Sequence, residues 1–132
     1  MARRVGVTDW FIASYPFGVD YEIRTQNNGI CRFDNACPGV ILPERWNHIV
    51  GTYDGNGTIK LFLNGQECSG FEVVEPGCYG PIAHSWEPFA VGGSSASSGY
   101  IDEVRIYYED LLASEIQRNY IKGLEKYKMT KK

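Results

Sequence analysis

The segment from Trp46 to Gln66, WNHIVGTYDGNGTIKLFLNGQ, constrains the fold more than any other part of the sequence. Its central residues 54–57, DGNG, tolerate positive φ angles, which the short loop of a β-hairpin requires. Beyond this turn every second residue is apolar: Ile59, Leu61 and Leu63. A period of two is typical of a strand that buries one face in a core. The segment therefore predicts two antiparallel strands, followed by a second turn at residues 64–65.

Short strands separated by turns are predicted along most of the remaining chain. Residues 19–25, VDYEIRT, alternate between apolar and polar side chains. Residues 100–108, YIDEVRIYY, form the longest predicted strand. Five of its side chains are expected to face the core: Tyr100, Asp102, Val104, Ile106 and Tyr108.

A short helix is predicted from about residue 112 to residue 121. Three of its residues recur at four-residue spacing and are expected to pack on a sheet: Leu112, Ile116 and Tyr120. Asp110 or Ser114 is expected to cap the start of the helix, and Gly123 its end.

Two blocks of the sequence resemble the laminin G-like, concanavalin A-like jelly-roll family. The hairpin segment is similar to the family pattern W-x-H-[IV]-x-x-T-Y-D-G-x-G-x-x-x-L-[FY]-[LV]-N-G. Residues 99–120, GYIDEVRIYYEDLLASEIQRNY, are similar to the closing strand and short helix of that family. The resemblance implies an all-β fold, an antiparallel β-sandwich jelly roll with one short C-terminal helix. It implies much less about function, because one sandwich fold hosts many unrelated activities.

The length and composition of the chain suit a single domain. The 132 residues, 43% of them apolar, suffice for one hydrophobic core but not for two. A lectin-like domain is predicted over residues 1–121, followed by a basic tail at 122–132. Because the family hairpin already begins at Trp46, one or two N-terminal strands of the usual sandwich are expected to be missing. The edge near residues 10–13 is therefore expected to pair with a second copy, a separate polypeptide or residues trimmed from a longer precursor.

The charge distribution argues against nucleic acid as a partner. The net charge is -3, yet five of the six lysines lie between Lys122 and Lys132, so the rest of the chain is more acidic than the total indicates. Proteins that bind nucleic acid need a basic face. The basic tail is interpreted as a solvated end, with contact to a membrane surface or an acidic partner as the alternative. No apolar run is long enough to span a membrane.

The four cysteines favour disulfides over a metal site: Cys31, Cys37, Cys68 and Cys78. Zinc sites usually contain close C-x-x-C pairs or nearby histidines, whereas this chain has no such pair and only two histidines. An even number of cysteines in a small β-domain indicates two disulfides and an oxidising compartment. Three connectivities are open; the local pairs Cys31–Cys37 and Cys68–Cys78 are favoured, and reduced, buried thiols are the alternative.

Asp102 is the candidate for a structural calcium ion, and no other cofactor is expected. On the inward face of the predicted strand its carboxylate would need a partner. One interpretation is a set of hydrogen bonds from a neighbouring loop, and the other is ligation of calcium, which takes six to eight oxygen ligands. Pentraxin-like relatives place acidic ligands in the loop that corresponds to residues 93–98, GSSASS, which contains no carboxylate.

No catalytic residues are predicted. Glycoside hydrolases of the concanavalin A-like superfamily carry carboxylates spaced as E-x-D-x-E, or with one extra residue, along one strand, because hydrolysis needs two carboxylates. The chain has no such triplet; Asp102 and Glu103 are adjacent and would point to opposite faces of a strand.

Tyr79, His84 and Trp86 are the candidate ligand-binding residues. They lie in the longest irregular segment, PGCYGPIAHSWEP, and sugars are bound by stacking on aromatic rings. The first hypothesis is an extracellular or cell-surface, non-catalytic lectin-like module that recognises a glycan or a surface protein. The second is a globular head of an extracellular assembly, such as a pilin-like filament subunit, because residues 120–128 are weakly similar to the ends of lectin-like domains on prepilins.

Overall fold

The computed structural model of the chain describes residues 10–15, 18–39, 41–83 and 100–127. Over these residues it contains seven strands and one helix. The elements are β1 (Trp10–Tyr15), β2 (Gly18–Arg24), β3 (Ile30–Ala36), β4 (Ile49–Tyr53), β5 (Ile59–Leu63), β6 (Gln66–Cys68), β7 (Phe71–Val74) and α1 (Ala113–Tyr127).

The strands form two antiparallel sheets, as the fold prediction requires. One sheet has the strand order β1-β2-β3-β7 and the other the order β4-β5-β6. Together with the C-terminal helix they confirm the all-β sandwich class. β1 lies at one end of the four-stranded sheet, where the sequence predicts an edge, and the addition of a further strand there stays a prediction.

The alternating residues of β2 and β5 build the core between the sheets. Val19, Tyr21 and Ile23, the alternating apolar residues of β2, are buried. The matching set from β5 is buried in the same cluster: Ile59, Leu61 and Leu63. The sheets approach closely, because a Cβ atom added to Gly51 would lie 2.7 Å from the ring of Tyr21.

The predicted β4–β5 hairpin is confirmed, and its loop is fixed by one carboxylate. Asp54 Oδ1 accepts hydrogen bonds from the backbone N–H groups of Asn56 at 2.7 Å and Thr58 at 2.9 Å. The bond from Thr58 is the main cause that lowers the pKa of Asp54, because it stabilises the ionised form. The loop therefore holds a defined shape at the end of the sandwich.

Residues 100–112 do not form the predicted closing strand. None of them belongs to a strand, and the predicted inward residues Tyr100, Val104 and Ile106 are exposed. Glu103 has a φ angle of 58°, in the left-handed region that interrupts an extended chain. The carboxylates of Asp102 and Glu103 bind the last turn of α1 instead. Alternation gave the segment the capacity to form a strand, but these contacts hold it in another conformation.

Helix α1 is longer than predicted and is capped differently. It begins at Ala113, and Glu115 Oε1 accepts the backbone N–H of Leu112 at 3.0 Å, so the expected caps Asp110 and Ser114 are wrong. The helix continues through Gly123 to Tyr127, so Gly123 is not its C-cap, and residues 122–127 of the predicted tail are helical. Among the described residues, no helix is both long and apolar enough to cross a membrane.

The helix lies over the β4-β5-β6 sheet. A Cβ atom on Gly65 would clash with Gln117 and Tyr120 of α1. The ring of Tyr120 lies 6.0 Å from that of His48, and the ring of Tyr127 lies 4.8 Å from that of Trp46. The packing expected of the helix is therefore confirmed for Ile116, which is fully buried, and for Tyr120, but Leu112 is exposed.

Candidate functional site

Two disulfides join distant parts of the chain, so the favoured local pairing is wrong. Cys31 is bonded to Cys78 and Cys37 to Cys68, with Cα–Cα distances of 5.4 and 5.3 Å. The cause is the strand arrangement: β7 runs antiparallel to β3 and returns the chain to the start of β3, where Cys31 lies. Cys37 follows β3 in one sheet and Cys68 ends β6 in the other, so this bond links the two sheets.

Three connections meet at one end of the sandwich and form the candidate site. They are the β2–β3 turn (residues 25–29), the β4–β5 loop (54–58) and the segment after β7 (75–83); we call them the loop cluster. The Cys31–Cys78 disulfide anchors the third connection to β3. Cys78 Sγ also lies 3.5 Å from the carbonyl oxygen of Gly57, which brings the β4–β5 loop against it.

Hydrogen bonds fix the loop cluster further. The hydroxyl of Thr25 donates to the carbonyl of Gly77 at 2.5 Å, and the backbone N–H of Gln26 donates to that of Pro81 at 2.9 Å. The hydroxyl of Tyr53 donates to the carbonyl of Gly80 at 2.5 Å. Because these bonds connect residues far apart in sequence, the three connections form one preorganised surface.

Tyr79 is the exposed aromatic residue that this surface carries. Its side chain is 51% exposed, although it follows the buried Cys78 directly. Both backbone polar groups of Tyr79 form hydrogen bonds. Its N–H donates to the carbonyl oxygen of Gly77 at 2.8 Å, and its carbonyl oxygen accepts from Asn27 Nδ2 at 2.9 Å. The other two predicted ligand-binding residues, His84 and Trp86, lie outside the described residues.

Polar groups on the same loops complement the aromatic ring of Tyr79. Asn27, Asp54 and Asn56 are exposed, and the lowered pKa of Asp54 keeps its carboxylate ionised at neutral pH. An exposed aromatic ring on the same loop cluster as amides and a carboxylate offers both stacking and hydrogen bonding, the two interactions by which proteins bind sugars. Sequence reasoning found Tyr79 but missed Asn27, because only the tertiary contact with Tyr79 places it at the site.

Asp102 lies away from the loop cluster, and the expectation that it faces inward is wrong. Its carboxylate is fully exposed and accepts hydrogen bonds from the hydroxyl of Tyr127 at 2.7 Å and the N–H of Glu103 at 2.8 Å. The bond from Tyr127 is the main cause that lowers its pKa. The carboxylate does accept hydrogen bonds, but the donors lie on α1 and in its own segment rather than in a neighbouring loop, so the loop part of that interpretation is wrong.

Calcium at Asp102 stays a prediction that these surroundings do not favour. The adjacent carboxylate of Glu103 is bound by two cations, Lys126 and Arg105. Among the described residues, no cluster of three or more histidine, cysteine, aspartate or glutamate side chains has the arrangement of a metal site. Calcium takes six to eight oxygen ligands, so a calcium ion at Asp102 would need oxygens beyond this carboxylate.

A family model described as Laminin_G_3, the concanavalin A-like lectin/glucanases superfamily, matches residues 6–117. The chain belongs to this superfamily. Because the superfamily includes both lectins and glucanases, membership leaves a binding role and a hydrolytic role open. No curated protein matches the chain significantly.

A solved structure to which the chain is similar is an S-layer domain-containing protein (residues 221–444) from Clostridium thermocellum ATCC 27405. Its crystal structure, at 2.1 Å resolution, is similar to the chain with a TM-score of 0.41 and 14% sequence identity. The similarity covers 91% of this chain and 67% of that one.

His48 of the superfamily hairpin has a structural environment. Its backbone N–H donates to Asn64 Oδ1 at 2.8 Å, and its Nδ1 atom is buried without a hydrogen-bond partner among the described residues. Burial, followed by the positive charge of Arg105, lowers the pKa of the imidazole. The neutral ring that packs beside Tyr120 is therefore the form that the fold favours.

The lowered pKa of His48 predicts a loss of stability in mild acid. The unfolded chain binds a proton near pH 6.5, whereas folded His48 resists protonation, so its contribution to stability is complete above pH 6.5 and decreases as the pH falls. The free energy of unfolding, measured with urea between pH 8 and pH 5, is expected to decrease less in His48→Gln than in the native chain. Equal decreases in both proteins would contradict the pKa direction.

Proposed function

We propose that the chain is a non-catalytic recognition module outside the cell or on its surface, which binds a glycan at the loop cluster through Tyr79. The observation that carries the proposal is the exposed ring of Tyr79 on loops that are fixed by a disulfide and by hydrogen bonds between distant residues. A preorganised loop loses little conformational entropy on binding, which favours affinity. An exposed aromatic ring on a backbone held by hydrogen bonds suits a sugar ring.

The disulfides support the extracellular location. Disulfides persist in oxidising compartments and are rare in the cytosol, and all four cysteines of the chain are paired. Superfamily membership is compatible with this location but does not decide it. A non-catalytic role is supported by the lack of an E-x-D-x-E triplet anywhere in the sequence.

The test combines a glycan array with titration calorimetry. The native chain is expected to select a subset of glycans, and Tyr79→Ala is expected to weaken the binding of the best ligand by roughly two- to twelvefold, since one stacked aromatic ring contributes about 0.5–1.5 kcal/mol. Tyr79→Phe should keep most of the affinity because it keeps the ring. Phe71→Ala is the matched control, since Phe71 is an exposed aromatic residue on β7.

Three results would contradict the proposal. The first is a native chain that selects no glycan. The second is a Tyr79→Ala variant that binds as tightly as the native chain, and the third is the release of reducing sugar from the ligand. If Trp86→Ala rather than Tyr79→Ala abolished binding, the ligand would be placed by residues after Ala83. A chain that binds a surface protein but no glycan would also contradict the proposal, because the ligand class would be wrong.

A second candidate function is the globular head of an extracellular assembly. The observation that favours it is the exposed apolar surface of residues 100–112. This surface carries more exposed large apolar side chains than the described residues of the loop cluster do. Monomeric proteins rarely expose a contiguous apolar surface without an interaction partner. Under this alternative the domain contributes packing and display, and its glycan array would be blank.

A further inference from the structure

The stretch from residue 100 to residue 108, which we call the closing segment, carries apolar side chains in solvent. Tyr100 is 90% exposed and Val104 is 50% exposed. Exposed apolar residues continue along the segment: Ile101, Ile106, Tyr107 and Tyr108. The backbone of the segment belongs to neither sheet. The segment thus combines the alternation of a strand with a surface that favours burial against a partner.

We propose that the closing segments of two copies of this chain pair as antiparallel strands around a two-fold axis at Val104. An antiparallel pair centred on Val104 places Glu103 of each copy opposite the partner's Arg105. It also places Ile101 opposite the partner's Tyr107, and Tyr100 opposite the partner's Tyr108. The segment is therefore complementary to itself, which is the requirement for an interface with two-fold symmetry.

The charges select this register over its neighbours. Moving the axis by one residue places Glu103 opposite Glu103, or Arg105 opposite Arg105. Like charges directly opposite in an antiparallel pair are destabilising, whereas opposite charges and aromatic pairs stabilise it. The register centred on Val104 forms two ion pairs between the copies and places no like charges opposite each other.

The interactions that oppose the rearrangement are all exposed: the hydroxyl of Tyr127 donates to Asp102, and two cations bind Glu103. Glu103 pairs with Arg105 at 2.9 Å within the chain and with Lys126, but all three side chains are more than one third exposed. Exposed ion pairs contribute little stability, so exchanging them for pairs between copies costs little. Glu103 also leaves its left-handed φ angle of 58°, a conformation unfavourable for a residue with a side chain, when the segment becomes extended.

The interface is small, which sets the expected affinity. Two paired segments of nine residues bury less surface than a standard protein interface, so we expect a weak, reversible dimer with a dissociation constant in the micromolar range. This inference does not depend on glycan binding, because the closing segment lies outside the loop cluster. A monomer that binds glycan would leave the proposed function intact and remove only the dimer.

Charge exchange tests the pairing directly. Sedimentation equilibrium is expected to show a dimer for the native chain and an affinity at least about tenfold weaker for Glu103→Arg and for Arg105→Glu, because each variant places like charges opposite twice. Mixing these two variants should restore a dimer with one copy of each. The double variant E103R/R105E should dimerise like the native chain. Lys60→Glu, a charge reversal at an exposed site on β5, is the control and should dimerise normally.

Several outcomes would overturn the proposal. One is a native chain that stays monomeric at millimolar concentration. A second is a pair of charge variants that each dimerise as well as the native chain. A third is a mixture of the two variants that remains monomeric while their circular dichroism spectra and thermal melts match the native chain. A monomer with slow amide exchange at residues 101–107 would show that the segment pairs within its own chain instead.

Discussion

Replacing both Cys31 and Cys78 with alanine is expected to lower the free energy of unfolding by about 4 kcal/mol. The bond closes a loop with a sequence separation of 47 residues, so its loss greatly increases the conformational freedom of the unfolded chain. It also releases the segment that carries Tyr79. Urea unfolding measures the effect, and glycan affinity is expected to fall with it because the loop cluster loses its anchor.

Peptide mapping of the unreduced protein checks the connectivity on which this prediction depends. One peptide pair should contain Cys31 joined to Cys78, and another Cys37 joined to Cys68. A change in the free energy of unfolding below about 1 kcal/mol would contradict the stabilising role. A peptide with Cys31 joined to Cys37 would contradict the strand arrangement around β3.

Leu61→Ala is expected to destabilise the domain by about 3 kcal/mol. Leu61 is fully buried on β5, the central strand of the β4-β5-β6 sheet. It lies opposite Gly51 of β4 and Cys68 of β6. The rigid sheets collapse only partly into the cavity, so the cost includes lost burial and an unfilled volume.

Lys60→Ala is the matched control for Leu61→Ala. Lys60 is the preceding residue on the same strand but is exposed, so its change is expected to stay within about 0.5 kcal/mol. Equal effects of the two substitutions in urea unfolding would show that the inward face of β5 is assigned wrongly.

The sequence predicted the features that depend on local chemistry. The β4–β5 hairpin follows from the DGNG turn and the period of two in residues 59–63, because turn geometry and side-chain alternation act over a few residues. Alternation likewise indicated that Val19, Tyr21 and Ile23 share one face of a strand, and that face is buried. Tyr79 was recognised as a candidate from its irregular, aromatic segment.

The features that depend on tertiary contacts were not predictable in the same way. The disulfide pairs are set by the neighbours of β3 and β6 in space, whereas the sequence favoured short loops. The strand at residues 100–108 had the right alternation, but the last turn of α1 binds its carboxylates. The helix passes Gly123, since one glycine costs only about 1 kcal/mol and the contacts of Lys126 and Tyr127 stabilise the turns beyond it.

Chemical-shift mapping with the best ligand of the glycan array tests the central claim most directly. The account predicts that the backbone amides that shift on binding cluster in residues 25–29, 54–58 and 75–83, with Tyr79 among the largest changes, and that these shifts disappear in Tyr79→Ala. Shifts confined to residues 100–112 or to the exposed face of β7, with the loop cluster unchanged, would contradict it.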